Sequence, residues 1–182
     1  ATISAWWILV ANAWMQNPVG MEFNPDTVRN EMVDFMAVAF SPVAVNKFCH
    51  TVLSSWVLGA VFVIGISCWF LLKKRDKEFA IASIKIGAIF GLVASVLTVW
   101  TGDGSGYAVA QTQPMKLAAV EGYYEGQNGA GLVAVGVLNP DKKTYDDGQN
   151  PFLFRIEIPK MLSFLAERKA DAFVPGIKNI IE

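Results

Sequence analysis

The sequence contains a single histidine, His50. A neutral imidazole can carry a proton, make two hydrogen bonds or ligate a metal, haem iron included. His50 opens a long apolar run, and an ionisable group in such a run is costly and usually functional. From pattern alone, a histidine simply hydrogen-bonded at a helix end stays open beside the ligand reading. Lys116 and Glu121 form the second group. Five positions apart on a regular helix, their side chains diverge by about 140°. They suit two grips on a ligand better than a mutual pair, and a solvated surface pair is the plain alternative. Tyr107, Tyr123 and Tyr124 supply aromatic surface nearby in sequence, with ordinary packing as the alternative. Cys49 and Cys68 would sit about 28 Å apart on one helix, too far to bridge each other, and read as packing residues.

The segments that must position these groups are apolar. His50 to Leu72 contains no charged residue after the histidine until Lys73-Lys74-Arg75. At about 1.5 Å per residue such a run spans a ~30 Å hydrocarbon core, and a soluble helix rarely stays apolar all round for that length. Residues 43–72 are therefore expected to be a transmembrane helix. Residues 73–79 are a basic loop, which the positive-inside bias places in the cytoplasm. Residues 80–101 return through the membrane, with Lys85 snorkelling toward that loop. Gly87, Gly91 and Ser95 form a small-residue seam for helix contact, with Ser55 and Gly59 a similar notch on the preceding helix. Residues 1–20 contain the C-terminal part of another transmembrane helix, where Asn12 and Gln16 share a face. Residues 21–42 connect the two with a short amphipathic helix over TVRNEMVDFMAVAF.

Charged residues make up 17% of the 182, below the ~25% of soluble domains, and the net charge of −1 gives no basic footprint for nucleic acid. No cationic leader precedes a cleavage site, so the chain is expected to be an internal piece of a longer membrane protein. With the basic loop inside, His50 lies at the outer end of its helix and residues 102–182 form an extracytoplasmic loop. Its glycine-rich opening, Thr101 to Tyr107, lacks the spacing and lysine of a phosphate-binding loop and reads as a tight exit from the helix. Pro114 starts a helix that Gly122 or Gly126 stops. Residues 132–138 and 152–158 read as a β-hairpin around a turn-rich segment, and MLSFLAERKA as an amphipathic helix. The expected fold is an all-α membrane protein, a transmembrane helix bundle whose extracytoplasmic loop carries a short β-hairpin and amphipathic helices.

WILVANAWMQNPVG (7–20), KFCHTVLSSWVLGAVFVIGISCWFLLKKRD (47–76), GDGSGY (102–107) and KLAAVE (116–121) together resemble subunit I of the bd-type quinol oxidases. The stretch IEIPKMLSFLAERKADAFVPGIK resembles the later part of that family's quinol loop. The resemblance implies the fourth to sixth transmembrane helices and much of the quinol-binding loop of a bacterial respiratory enzyme that oxidises quinol and reduces oxygen to water. His50 matches the axial ligand of the family's low-spin haem b, within KFCHTVLSSW. Lys116 and Glu121 match loop residues linked to quinol oxidation. In that role Glu121 would accept a proton, and Lys116 would donate a hydrogen bond or offset a quinolate. The second ligand of the low-spin haem, and those of a high-spin haem b and a haem d, would lie outside this chain, so the piece alone is expected to be inactive. Implied partners are ubiquinol or menaquinol, oxygen, subunit II, small accessory subunits and the lipid bilayer. The implied location is the bacterial cytoplasmic (inner) membrane, with several spans. Two other classes stay open: a transporter or channel piece with a structural histidine, and a haem-free scaffold.

Overall fold

The computed structural model describes residues 2–144 and 147–181. The chain is mostly helical and divides into two compact units, Ala1–Ser105 and Gly106–Glu182. The first contains α1 (Thr2–Gln16), β1 (Met21–Asn24), β2 (Arg29–Met32), α2 (Phe35–Ala39), α3 (Pro42–Leu72) and most of α4 (Lys77–Thr112).

α3 begins where the Ser41 hydroxyl accepts from the Ala44 N–H at 3.2 Å, with Pro42 in the first turn where its missing N–H costs nothing. At 31 and 36 residues, α3 and α4 are long and apolar enough to cross a membrane, by length and composition. Their large side chains point outward: Leu58 is 72% exposed and Leu92 68%. An apolar sleeve of this extent marks a surface that meets lipid or other protein. The hydroxyls along it turn back on their own helix. Ser54 donates to the His50 carbonyl at 2.7 Å, Ser67 to Val63 at 2.8 Å and Ser95 to Gly91 at 2.7 Å.

The glycine seam on α4 meets α3. A Cβ at Gly91 would come within 3.0 Å of Ala60 Cβ, and one at Gly87 within 3.1 Å of Ile64 Cγ1. The notch at Gly59 faces open space instead. On α1, Gln16 donates to Asn12 Oδ1 at 3.1 Å, and Lys47 reaches the same oxygen at 3.0 Å.

Two expectations are corrected here. The amphipathic helix expected within residues 21–42 is reduced to α2, capped by Asp34, whose carboxylate accepts from the Ala37 N–H at 2.9 Å. The residues before it form a β-hairpin pairing Met21 with Met32. The Glu31 carboxylate draws the turn together, accepting from Asn24 at 3.1 Å, Thr27 at 2.9 Å and Arg29 at 3.2 Å, and this outweighs the helical spacing of Val28 and Met32. The second correction is at the glycine-rich run, where the helix does not end at residue 101. α4 continues to Thr112, because Gly102 and Gly104 let it run close beside α3 at His50 and Asn46. The Asn46 amide donates to Ser105 Oγ at 2.6 Å on the same face.

The second unit takes the end of α4 with α5 (Pro114–Val120), β3 (Gln127–Asn128), β4 (Leu132–Leu138), β5 (Phe152–Ile158), α6 (Met161–Glu167), β6 (Phe173–Val174) and α7 (Ile177–Ile181). β4 and β5 pair antiparallel, with irregularities after Val133 and Val137, and β3 pairs with β6. Within the turn-rich segment between β4 and β5, residues 145 and 146 lie outside the described residues. The core is small: Ala118, Tyr123, Ala130, Leu162, Ala166 and Val174.

Candidate functional sites

His50 lies on α3, two turns from its start, and is half-buried. Its Nδ1 is 3.0 Å from Thr101 Oγ1 on α4. The backbone of Gly102 leaves room for the ring: a Cβ there would meet His50 Cε1 at 3.3 Å. Among the described residues the other ring nitrogen, Nε2, has no hydrogen bond. Between the same ends of α3 and α4 lies a largely apolar groove of about 500 Å³, walled by Val45, Cys49 and Trp100 with Asn46, Thr101 and Gly104. His50 is not among the residues that line this groove. An imidazole with one nitrogen engaged and the other without a hydrogen bond could supply one protein ligand to a haem iron. It does not make a metal site on its own: no cluster of His, Cys, Asp or Glu among the described residues could hold an ion.

Glu121 sits in the other unit, as the C-cap of α5. Pro114 starts α5 and Gly122, in the left-handed region at φ +65, turns the chain away after it. The Glu121 carboxylate is half-buried and accepts from the Val133 N–H of β4 at 3.2 Å. Burial pushes this carboxyl above the ordinary carboxylate value, and the hydrogen bond from Val133 pulls it back only in part. Such a group takes up a proton more readily than an exposed glutamate. Lys116 is exposed on α5, so the helix sends the two side chains into different surroundings.

The three tyrosines have separate roles. Tyr123 is buried and donates to the Gly131 carbonyl at 2.9 Å, while Gln127 donates to its oxygen at 3.0 Å. Burial, and after it the Glu157 carboxylate, raises this phenol's pKa. The Tyr124 ring carries the Lys142 ammonium 4.3 Å from its centroid, and Arg168 lies 5.0 Å from the Tyr107 ring. Tyr123 and Tyr124 also line a cleft of about 430 Å³ with Gln127, Lys142, Asn150 and Arg155; neither Lys116 nor Glu121 lines it. Sequence reasoning missed Lys142, Arg155, Asn46 and Thr101. A threonine immediately before the glycine-rich run was the visible signal for the last of these.

Residues 1–182 match the family described as cytochrome bd terminal oxidase subunit I. The chain is 42% identical over 181 residues to the cytochrome bd-II ubiquinol oxidase subunit 1 of Escherichia coli (strain K12), covering 100% of this chain and 34% of that protein. It is 33% identical over 180 residues to the cytochrome bd ubiquinol oxidase subunit 1 of Bacillus subtilis (strain 168), covering 98% and 36%. A solved bd oxidase structure from Geobacillus thermodenitrificans superposes with a TM-score of 0.83 at 29% identity, covering 98% of this chain and 39% of that one. The chain thus spans about a third of the length of these relatives.

Proposed function

The chain belongs to the cytochrome bd terminal oxidase subunit I family, and from that premise we propose that it is the part of a quinol:oxygen oxidoreductase where quinol delivers its electrons and protons. His50 ligates a low-spin haem b, and Lys116 and Glu121 bind the quinol head group. When bound, the haem would supply a one-electron acceptor. α3 and α4 cross the bacterial inner membrane, and residues 102–182 lie on its outer side. The high-spin haem b, the haem d, subunit II and the small accessory subunits belong to the rest of the assembly.

Oxidising a quinol to a quinone releases two electrons and two protons. A haem held by His50 would be the acceptor for the electrons. Each hydroxyl proton needs an acceptor within hydrogen-bond reach. The single observation that carries this reading is the state of Glu121: a half-buried carboxylate whose affinity for protons is raised by its surroundings. Lys116, exposed on α5, is the cationic group that donates to the quinol oxygen as its proton leaves. Protons released on the outer side conserve energy across the membrane.

The test uses the full-length oxidase. Its reduced-minus-oxidised visible spectrum should carry a low-spin b band and a d-type band; a spectrum without haem favours the scaffold or transporter reading. Lys116→Ala and Glu121→Gln should depress quinol oxidation while haem content, and oxidation of an artificial donor that reduces the haems directly, stay at parent levels. Unchanged quinol turnover in both would leave the two residues as a surface pair.

A further inference from the structure

A neutral histidine carries its proton on one ring nitrogen, and only the other can bind a metal. Thr101 faces one of them. Its hydroxyl has a single hydrogen. Oγ1 lies 3.0 Å from the Leu97 carbonyl oxygen, 3.1 Å from that of Thr98 and 3.0 Å from His50 Nδ1. The Leu97 and Thr98 carbonyls only accept, so they compete with Nδ1 for that hydrogen. When it turns back along the helix, as in other threonines, Oγ1 offers the histidine only lone pairs and Nδ1–H donates to it. That is the tautomer that leaves the lone pair on Nε2. Gly102 supports the same geometry independently: with no Cβ, it lets the imidazole lie against α4 within reach of the threonine one position earlier.

We propose that Thr101 is a positioning residue for His50. It fixes the Nδ1–H tautomer, presents Nε2 to the haem iron and makes the imidazole a stronger electron donor. The proposal rests on the reading of His50 as the low-spin haem ligand. A hydrogen bond accepted from the outer nitrogen of a ligating histidine raises its basicity, and loss of such a partner typically costs about 10- to 100-fold in metal affinity. A more basic ligand favours the ferric state, so removing the bond moves the haem's midpoint potential upward.

The experiment is a redox titration of the low-spin haem in the full-length oxidase carrying Thr101→Val, which keeps the side chain's shape and removes the acceptor. The expected result is a shift of roughly tenfold in the oxidised-to-reduced ratio toward the reduced form, about 59 mV for one electron. Thr101→Ser should return the potential to the parent value. Coincident potentials for Thr101→Val and the parent, or an equal shift for valine and serine, overturn the proposal. Should Thr101→Val also lose the d-type band, a sign of general misassembly, Thr101→Ala takes its place with the same two outcomes. His50→Ala is read separately. If the low-spin band survives that substitution, the ligand reading fails; if it disappears while Thr101→Val leaves the potential unmoved, only the role of Thr101 fails.

Discussion

Ser67 in α3 and Ser163 in α6 are both buried, 4% and 0% exposed, and they are bonded in opposite ways. Ser67 donates to Val63, one turn back on its own helix. Ser163 accepts from the Ala130 N–H at 2.7 Å and donates to the Ala172 carbonyl at 2.8 Å, tying together segments thirty-three and nine residues away. The contrast holds across the two units. The hydroxyls of Ser54, Ser55 and Ser67 bond within α3, as suits a helix in a medium without water, and two side-chain bonds between α3 and α4 fall where the glycines bring the helices close: His50 with Thr101, and Asn46 to Ser105. The second unit has a small core and is held by polar crosslinks as well. Tyr123 reaches Gly131, Glu121 reaches Val133, and Asn179 accepts from the Gly126 N–H at 2.7 Å. The first environment suits a neutral ligand fixed in orientation. The second suits a carboxyl whose proton affinity is set by partial burial.

The difference is tested most sharply at the two candidate sites. His50→Ala in the full-length oxidase should abolish the low-spin b band and leave the other haem bands in place, as read from the reduced-minus-oxidised spectrum. Persistence of the band would remove the chemical half of the comparison. Next in size is Glu121→Gln. Loss of a positioned proton acceptor should lower the rate of quinol oxidation by about 10²- to 10⁴-fold with haem content unchanged. In the parent, that rate should rise with pH through the folded pKa of Glu121, which lies above the ordinary carboxylate value, and the Gln variant should lose that rise. The sign for stability is opposite. A carboxyl with a raised folded pKa contributes stability below its unfolded pKa, and that contribution is lost as pH rises through the folded one. Glu121→Gln should therefore be no less stable than the parent at neutral pH.

The helical unit was the more legible in sequence, because apolar length is a local property. A run free of charge between His50 and Lys73 can be counted without knowing its neighbours. The extension of α4 through GDGSGY was not legible. Three glycines argue for a stop on propensity, and only the approach of His50 and Asn46 explains why the helix continues. The hairpin at residues 21–32 was missed for the converse reason: a helical spacing of apolar residues was present, and the gathering of three donors on Glu31 is a tertiary fact. At the candidate sites, His50, Lys116 and Glu121 stand on residue type and on the family resemblance. Their surroundings were not legible. Thr101 is fifty-one residues from His50, and the backbone N–H that meets Glu121 is twelve away, so neither relation leaves a mark in local pattern.

The two serines give the smaller tests, and the closing one carries the comparison itself. Ser163→Ala leaves the buried Ala130 N–H without that partner, at a cost of roughly 1–3 kcal/mol, while the Ala172 carbonyl keeps the Gly129 N–H at 3.2 Å. Hydrogen exchange of the full-length oxidase should show Ala130 losing protection, together with the segments on either side of it. Ser67→Ala removes a bond of similar length, 2.8 Å, yet a far smaller effect is expected. The Val63 carbonyl belongs to the interior of α3, where the backbone ladder already supplies a donor, and the serine adds only a second one to it. Side-chain hydrogen bonds in membrane helices average about 0.6 kcal/mol even when they join two helices, and this one joins a helix to itself. Exchange along α3 should stay within error of the parent. A loss of protection at Val63 to Ser67 comparable to that at Ala130 would mean that the hydroxyl in α3 supports more than its own turn, and that the two units are not bonded on different plans.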